Sequence, residues 1–178
     1  MDLSEIQSES DLTQELLSYL YIYEDGCLFN AIHRASNSRQ FSRAGFTITI
    51  KNGNAKEYLM RKLNVNNKHY VEARVIWILH FGAIPYGFEV DHIDGDSLNN
   101  RIENLRLATR SSNMANMNTI SNGNYLKGVY KRNSGKFSAQ ITCNGVKHHL
   151  GTFDSELEAG KAYLEAAVAL HGDFAKIK

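Results

Sequence analysis

Asp91 and His92 stand side by side between an apolar stretch and a loop rich in glycine and asparagine. Hydrolysis of a phosphodiester needs a base to deprotonate water and a cation to take up charge on the phosphate and the leaving oxygen. An imidazole suits the first task because it is mostly neutral at physiological pH. A carboxylate is a hard oxygen ligand for a Mg²⁺-type ion, whose other positions remain for water and phosphate oxygens. The pair predicts a one-metal phosphodiesterase site with His92 as the base and Asp91 as a metal ligand.

Two asparagines follow at spacings that can complete this site. Asn104 precedes a short apolar run, and Asn113 lies in a helix-competent segment after it. Neighbouring residues on a strand point to opposite faces, so Asp91 and His92 are expected on opposite sides of the scissile phosphate. We expect the amide oxygen of Asn113 to be the second metal ligand, with Asn116, one helical turn later, as its rival. Asn104 is expected to orient the imidazole of His92 through its amide or backbone.

The whole segment Glu89–Asn118, with its DH, NNR, ENLR and SSN motifs in register, resembles the His-Asn-His (HNH) nucleases. The resemblance implies a ββα-metal fold and phosphodiester cleavage assisted by one Mg²⁺ or Mn²⁺ ion. Asn113 stands where many members carry histidine. Ala73-Arg74 replaces a His-Arg pair common in phage members, which leaves Arg74 as a phosphate or packing contact. Arg74 and Arg106 are the arginines of this region that we expect to contact DNA.

A compact module is predicted after residue 125. Three β segments, LKGVYKR, KFSAQIT and VKHHLGTF, are joined by Asn-Ser-Gly and Asn-Gly, which are strong hairpin signals. A helix is predicted over Ser155–Leu170, because Ser155 and Glu158 form a capping box. Gly172 ends it. One face of this helix is expected to form an apolar stripe against the sheet, made of Ala159, Ala162, Tyr163, Ala166, Ala167 and Leu170. The helix can cover only one face of the sheet, and the side chains expected there are Val129, Phe137, Ala139, Ile141 and Leu150.

The opposite face of that sheet carries cations, amides and rings that can enter a DNA major groove. On charge alone, a sheet that merely binds phosphates is an equal alternative. The runs G-V-Y-K-R, G-K-F-S-A-Q-I, L-G-T-F-D and E-A-x-x-A-Y resemble the plant-type AP2 DNA-binding domain, in which the sheet reads DNA. The resemblance implies DNA contacts from Lys127, Tyr130, Arg132, Gln140, Thr142, Lys147 and His149. Several of these are arginine or tryptophan in the plant proteins, so the target sequence does not transfer.

Charge is distributed unevenly along the 178 residues, although the net charge is only +1. The first 25 residues contain seven acids and neither Lys nor Arg, whereas residues 127–149 contain five Lys or Arg and no acid. The basic segment is the expected DNA-facing half, and the acidic segment is expected to be a solvated face. The two cysteines lie far apart without a Cys-x-x-Cys, so no structural zinc is expected.

The expected fold class is α+β: a small α/β N-terminal region, a ββα-metal nuclease domain, and a three-stranded antiparallel sheet plus helix. Upstream elements are predicted at Asp11–Tyr21 (helix), Asp25-Gly26 (hairpin turn), Phe46–Ile50 and Tyr58–Val65 (strands), His69–Val71 (return strand) and Arg74–Phe81 (buried helix). Turns are predicted at Asn52-Gly53 and Asn66-Asn67. The expected domains are residues 1–40, 41–118 and 126–178, with a linker at 119–125.

These features together predict a metal-dependent, site-specific DNA endonuclease of the homing type. One active site cuts one strand, so we expect nicking by a monomer, with a homodimer on DNA as the alternative. No secretory leader and no apolar run of membrane length are present, so an intracellular location is expected, for instance a phage-infected bacterial host. The alternatives are a catalytically inactive DNA-binding regulator and, less well matched to a sheet that suits the wide DNA groove, an RNA-processing nuclease.

Overall fold

The computed structural model describes residues 6–34, 38–51, 57–116 and 125–175. Among these residues, runs of five, two and three strands are separated by single helices, and the strands form four small sheets, so the predicted α+β class is confirmed. The chain divides into two compact units, residues 1–107 and residues 108–178. Most of the linker predicted at 119–125, and the turn predicted at Asn52-Gly53, lie outside the described residues. No helix of the described ranges is long and apolar enough to cross a membrane.

The first unit contains two helices and most of the strands. After a 3-10 turn at Glu9–Asp11, its elements are α1 (Gln14–Leu20), β1 (Tyr21–Glu24), β2 (Cys27–Asn30), β3 (Phe46–Lys51), β4 (Glu57–Val65), β5 (Lys68–Val71), α2 (Glu72–Phe81), β6 (Phe88–His92) and β7 (Leu105–Thr109), whose last two residues belong to the second unit. β1 pairs with β2, β3–β4–β5 form a meander, and β6 pairs with β7. The predicted strands are therefore confirmed.

Local capping explains where α1 departs from the prediction. The helix begins at Gln14 rather than Asp11, because the Thr13 hydroxyl accepts the Leu16 N–H at 3.2 Å and acts as the N-cap. It ends at Leu20, because the backbone of Tyr21 is already extended. The hairpin turn predicted at Asp25-Gly26 is confirmed, with φ of 47° and 80° at its two residues, the left-handed pair that a two-residue hairpin turn requires.

One hydrophobic core serves the whole first unit. Leu16, Leu17 and Leu20 of α1 pack with Val75, Ile76 and Ile78 of α2, and the cluster extends to Leu28 of β2 and Leu105 of β7. The N-terminal helix and hairpin thus share the core that supports β6 and β7. α2 begins at Glu72, two residues earlier than predicted, and ends as predicted at Phe81, which is followed by Gly82 with a φ of 82°.

The second unit contains α3 (Arg110–Asn116), β8 (Val129–Lys131), β9 (Phe137–Cys143), β10 (Val146–Phe153), α4 (Glu156–His171) and a final 3-10 turn at Gly172–Phe174. The antiparallel sheet has the order β10–β9–β8, as predicted. The predicted capping box is confirmed, because the Ser155 hydroxyl accepts the Glu158 N–H while the Glu158 carboxylate accepts the Ser155 N–H.

α4 lies close to the sheet through small residues. Ala159 and Ala167 are buried, and Ala159 packs with Val129 and Ala139. The prediction that Leu170 belongs to the buried stripe is wrong, since its side chain is 42% exposed near the end of the helix. Glycine is required at position 128, where φ is +73° and an added Cβ would lie 2.1 Å from the Tyr163 ring.

Candidate functional site

Asp91 and His92 close β6, where the strand's alternation separates their side chains. The Asp91 side chain is 6% exposed and His92 is half-buried. The buried carboxylate pairs with a cation from the neighbouring strand, because Nε of Arg106 on β7 donates to Oδ2 of Asp91 at 2.9 Å. A buried carboxylate needs such a partner to offset its lost hydration. The structure therefore places the predicted metal ligand and one predicted DNA contact against each other.

Asn104 ties the loop between β6 and β7 (residues 93–104) to the end of β6. Its carbonyl accepts the Ile93 N–H at 2.9 Å, and its amide oxygen accepts the Asp94 N–H at 3.1 Å. Its amide nitrogen donates to Asp94 Oδ1 at 3.0 Å and to the Asn99 carbonyl at 2.8 Å. These bonds fix the backbone that directly follows His92.

Asp94 is the acceptor around which this loop is built. Burial alone would raise the pKa of the Asp94 carboxyl, but hydrogen bonds from Asn104, the Asp96 N–H and Asn99, with the nearby charge of His92, lower it below its usual value. The carboxylate form is the one that accepts all three bonds. The loop is thus held by its own polar groups.

A different asparagine reaches the imidazole. Nε2 of His92 lies 2.8 Å from Oδ1 of Asn100, in the middle of the β6–β7 loop. The Asn100 side chain is 2% exposed, and its Nδ2 donates to Oε2 of Glu72 at 3.1 Å. Asn100 therefore supplies an amide contact to the imidazole, while Asn104 bonds the backbone that follows His92. That Asn104 orients the imidazole through its amide or backbone stays a prediction. The adjacent Asn99-Asn100 pair was the available signal.

Glu72, the first residue of α2, is fully buried at 0% exposure. Arg43 donates to Oε1 at 2.5 Å and to Oε2 at 3.2 Å, and Nε of Arg61 donates to Oε2 at 2.7 Å. The same arginines are held in turn, Arg43 by the Leu28 carbonyl and Arg61 by the Ala44 carbonyl. A fully buried carboxylate is tolerated because two guanidinium groups compensate it.

The hairpin β1–β2 supports the part of the loop that carries Asn100. An added Cβ at Gly26, whose φ is +80°, would lie 2.8 Å from the Arg101 backbone nitrogen. The Tyr23 hydroxyl accepts the Ile102 N–H at 2.9 Å, and Arg101 pairs with Asp25 at 2.6 Å. The acidic N-terminal segment was predicted to be a solvated face, and Asp25 agrees with this because its side chain is 65% exposed even though it pairs with Arg101 of the β6–β7 loop.

Arg74 also meets the acidic segment. Its Nε donates to Glu9 at 2.6 Å, its Nη2 bonds the other carboxylate oxygen, and these bonds raise the pKa of the arginine above its usual value. Arg74 therefore forms an ion pair with Glu9 within the protein, and its expected contact with DNA stays a prediction.

Asn113 lies in α3, directly after β7. The Thr109 hydroxyl accepts the Ser112 N–H at 3.2 Å and caps this short helix, and the Ser111 hydroxyl accepts the Asn144 N–H at 2.9 Å. Asn113 is half-buried and belongs to the second compact unit. Among the described residues there is no cluster of three or more His, Cys, Asp or Glu side chains able to hold a metal ion.

The sheet of the second unit presents one polar face, as predicted. Lys147 lies opposite Thr142, His149 opposite Gln140, and Tyr130 opposite Ser138. The sheet face, defined as Tyr130, Arg132, Gln140, Thr142, Lys147 and His149, is exposed except for half-buried Gln140. The covered face holds buried Val129, Ala139 and Ile141 with half-buried Phe137 and Leu150.

Lys127 differs from the other predicted DNA contacts. It is half-buried before β8. Burial and then the positive charge of Lys127 lower the pKa of His171, partly offset by a backbone hydrogen bond involving Thr142. Lys127 thus lies near the end of α4. Lys136, another cation of the basic segment, is paired with Asp154 at 2.9 Å.

Comparison with known proteins gives the family. The HNH endonuclease family profile matches residues 73–115. An uncharacterized HNH endonuclease of Acanthamoeba polyphaga mimivirus is 40% identical over 94 residues, 53% of this chain and 49% of that protein. Protein 3.8 of Escherichia phage T7 is 35% identical over 105 residues, 58% of this chain and 86% of that protein. An ethylene-responsive transcription factor of Arabidopsis thaliana is 35% identical over 88 residues, 47% of this chain and 54% of that protein.

The chain thus spans about half the length of its mimivirus relative. No solved structure matches it. The plant match agrees with the resemblance of the C-terminal module to the AP2 domain. The family match runs from α2 into α3 and contains all four residues predicted for cleavage, namely Asp91, His92, Asn104 and Asn113. The chain belongs to the HNH endonuclease family.

Proposed function

We propose that this chain is a metal-dependent, site-specific endonuclease that nicks double-stranded DNA, of the homing type. The main observation in support of this proposal comes from the end of β6. There Asp91 is buried beside Arg106, and the imidazole of His92 is bonded to Asn100. Catalysis needs groups held in productive geometry, and these side chains are held by charged and amide partners.

One divalent ion, Mg²⁺ or Mn²⁺, fits the donor chemistry. Asp91 and Asn113 would hold it, since a carboxylate and a carboxamide supply the hard oxygen ligands that such ions prefer. When bound, the ion supplies positive charge to the phosphate and the leaving oxygen. The ion pair with Arg106 holds the Asp91 carboxylate in position as an acceptor.

In the proposed reaction His92 accepts a proton from the attacking water. Asn104 keeps the backbone after His92 in place through its bonds to Ile93 and Asp94. A general base positioned in this way contributes roughly 10²–10⁴-fold to a rate. Arg106 is the proposed phosphate contact nearest to Asp91.

DNA recognition is assigned to the sheet face, together with Lys127. The amide of Gln140 and the cations of the sheet face can donate to base edges and phosphates, and its rings add apolar contact. The similarity to plant transcription factors supports this assignment. One active site per chain breaks one strand, so the proposed product of a monomer is a nick.

The direct test is relaxation of supercoiled plasmid in Mg²⁺, with and without EDTA, alongside a gel-shift assay on the same DNA. We expect nicked circles in Mg²⁺, none in EDTA, and a DNA complex in both. No cleavage with Mg²⁺ or Mn²⁺ from protein that still shifts DNA would favour the alternative, a DNA-binding regulator without catalysis. Stronger competition by RNA than by DNA would point to an RNA nuclease.

A further inference from the structure

The hydrogen bonds behind His92 define which of its ring nitrogens carries the proton. Nε2 of His92 faces Oδ1 of Asn100, and Nδ2 of the same amide faces Oε2 of Glu72. A neutral histidine has one donor nitrogen and one acceptor nitrogen, and its surroundings choose between them. The two hydrogen bonds that link Glu72, Asn100 and His92 therefore have a fixed order of donors and acceptors.

The direction is set at Glu72. Oε2 of this carboxylate accepts from both Arg43 and Arg61, so it presents an acceptor to Asn100. A carboxylate in this arrangement can bond only the NH₂ end of the asparagine amide, which turns the amide oxygen toward the imidazole. A flipped amide would set oxygen against oxygen at one end, and would leave buried polar groups unpaired.

The amide oxygen in turn selects the tautomer. An oxygen facing Nε2 requires a proton there, which leaves the lone pair of the neutral ring on Nδ1. We infer that Glu72, fixed by Arg43 and Arg61, is a positioning residue that orients the Asn100 amide and thereby holds the proton of His92 on Nε2. This is the tautomer in which His92 would act as the proposed base, so the inferred effect on the rate of cleavage rests on the proposed function.

Burial makes this arrangement stiff. Glu72 and Asn100 are 0% and 2% exposed, so solvent does not compete for their hydrogen bonds. The backbone at the middle and at one end of this series of bonds is also fixed, because Gly26 of the β1–β2 turn packs on the backbone of Asn100 and Arg101, and Glu72 begins α2. Low local polarity strengthens each bond in such a network.

The primary measurement needs no mutation and no DNA. The ¹⁵N chemical shifts of the full-length protein, recorded without metal at a pH where the imidazole is neutral, distinguish the protonated ring nitrogen of His92 from the unprotonated one. We expect the proton on Nε2. A proton on Nδ1 in the wild type overturns the inference, whether or not the protein cleaves DNA.

Asn100→Ala and Glu72→Gln then test the two links. Removing the Asn100 acceptor, or replacing the Glu72 carboxylate by an amide that can bond either end of Asn100, should give a mixture of the two His92 tautomers. For Asn100→Ala we expect kcat to fall roughly 10–100-fold, the usual effect of losing a group that orients a reactive residue, with KM for DNA little changed. Wild-type tautomer and kcat in folded Asn100→Ala overturn the inference.

Asn30→Ala is the matched control, because Asn30 is also 2% exposed and its amide also bonds a charged side chain, Arg34 at 2.9 Å, while its other side-chain partner is Ser42 and not His92. We expect it to lower stability while leaving the tautomer and kcat unchanged. The same tautomer mixture in Asn30→Ala would reduce Asn100 to a structural residue. If Asn100→Ala and Glu72→Gln do not fold, the wild-type tautomer decides. If the wild type lacks nicking activity, the proposed function fails, and the tautomer still tests the orientation of Asn100.

Discussion

Around His92, in the first unit, the charged and amide side chains bond to one another, whereas on the sheet of the second unit the same residue types face solvent. Glu72 has no exposed surface and two arginine partners, while Lys147 and His149 are exposed. A bond-breaking site needs fixed groups, because small displacements cost rate. A DNA-reading surface needs groups that remain available to the DNA. The difference agrees with the proposed division of labour between the groups around His92, which would cleave DNA, and the sheet face, which would read it.

The largest expected effect comes from replacing one histidine in each unit, because one variant should lose cleavage and the other should lose DNA affinity. His92→Ala removes the proposed base, so we expect kcat for nicking to fall roughly 10²–10⁴-fold, with DNA affinity little changed. His149→Ala removes a proposed DNA contact, so affinity should fall while kcat at saturating DNA stays near that of the wild type. Single-turnover nicking and gel shifts measure the two quantities. Equal effects of both variants on kcat would contradict the proposal that the groups around His92 cleave DNA while the sheet face binds it.

Ion pairs in the two units should differ in the same way. Glu72→Ala leaves Arg43 and Arg61 without their shared buried partner, so the unfolding free energy of the first unit should drop by about 3–5 kcal/mol. Lys136→Ala breaks the exposed pair with Asp154, and such pairs contribute only about 0–1 kcal/mol. Urea unfolding monitored separately in each unit compares them. A small change in the unfolding free energy of Glu72→Ala would show that the buried ion pairs contribute little to the stability of the first unit.

Packing in the second unit can be tested at two glycines. In Gly128→Ala the new Cβ would meet the Tyr163 ring and lie 2.7 Å from the Gln140 carbonyl, with φ at +73°, so we expect a loss of about 2–4 kcal/mol. In Gly145→Ala, φ is +80° and nothing lies within 4 Å of the added Cβ. This variant should lose only about 1 kcal/mol, the cost of left-handed backbone alone. Thermal melts that rank the two variants in the reverse order would contradict this packing.

The smallest expected effect concerns the salt dependence of DNA binding. Each phosphate that a cation neutralises adds about 0.9 to the slope of log K against log salt. Lys147→Ala should therefore reduce the slope by roughly 0.9, whereas Lys136→Ala should change it less because Lys136 is paired with Asp154. Titrations across a range of salt concentrations give both slopes. Equal losses would mean that general charge, not the sheet face, contacts DNA.

Predictions from the sequence are confirmed where short-range rules determine the structure. The Asp25-Gly26 turn, the Ser155 capping box and the alternation from Ala139 to Thr142 on β9 follow from residue type and spacing, and all are present. The sequence also identified Asp91 and His92 as neighbours on one strand. Local rules failed at Leu170, where the predicted apolar stripe continues past the part of α4 that is buried.

The hydrogen bonds that link His92 to Asn100 and Glu72 could not be predicted from the sequence by such local rules. Asn100 meets Glu72 across 28 positions, and Glu72 meets Arg43 across 29. Such contacts depend on how α2, the β3–β4 hairpin and the β6–β7 loop pack together, which no short-range pattern encodes. A glutamate at the start of an apolar helix reads as an exposed first-turn acid, favoured by the helix dipole. Its burial becomes visible only when the arginines are placed around it.

The division of labour is tested most directly by where the DNA is cut. The full-length protein is incubated in Mg²⁺ with a library of random DNA sites, and the resulting ends are sequenced for the wild type and for Arg132→Ala with Gln140→Ala. We predict wild-type nicks at a fixed distance from one motif, and scattered or relocated nicks in the variant at a similar kcat. Variant nicks that remain at the wild-type motif would contradict the account, because the sheet would then not choose the site.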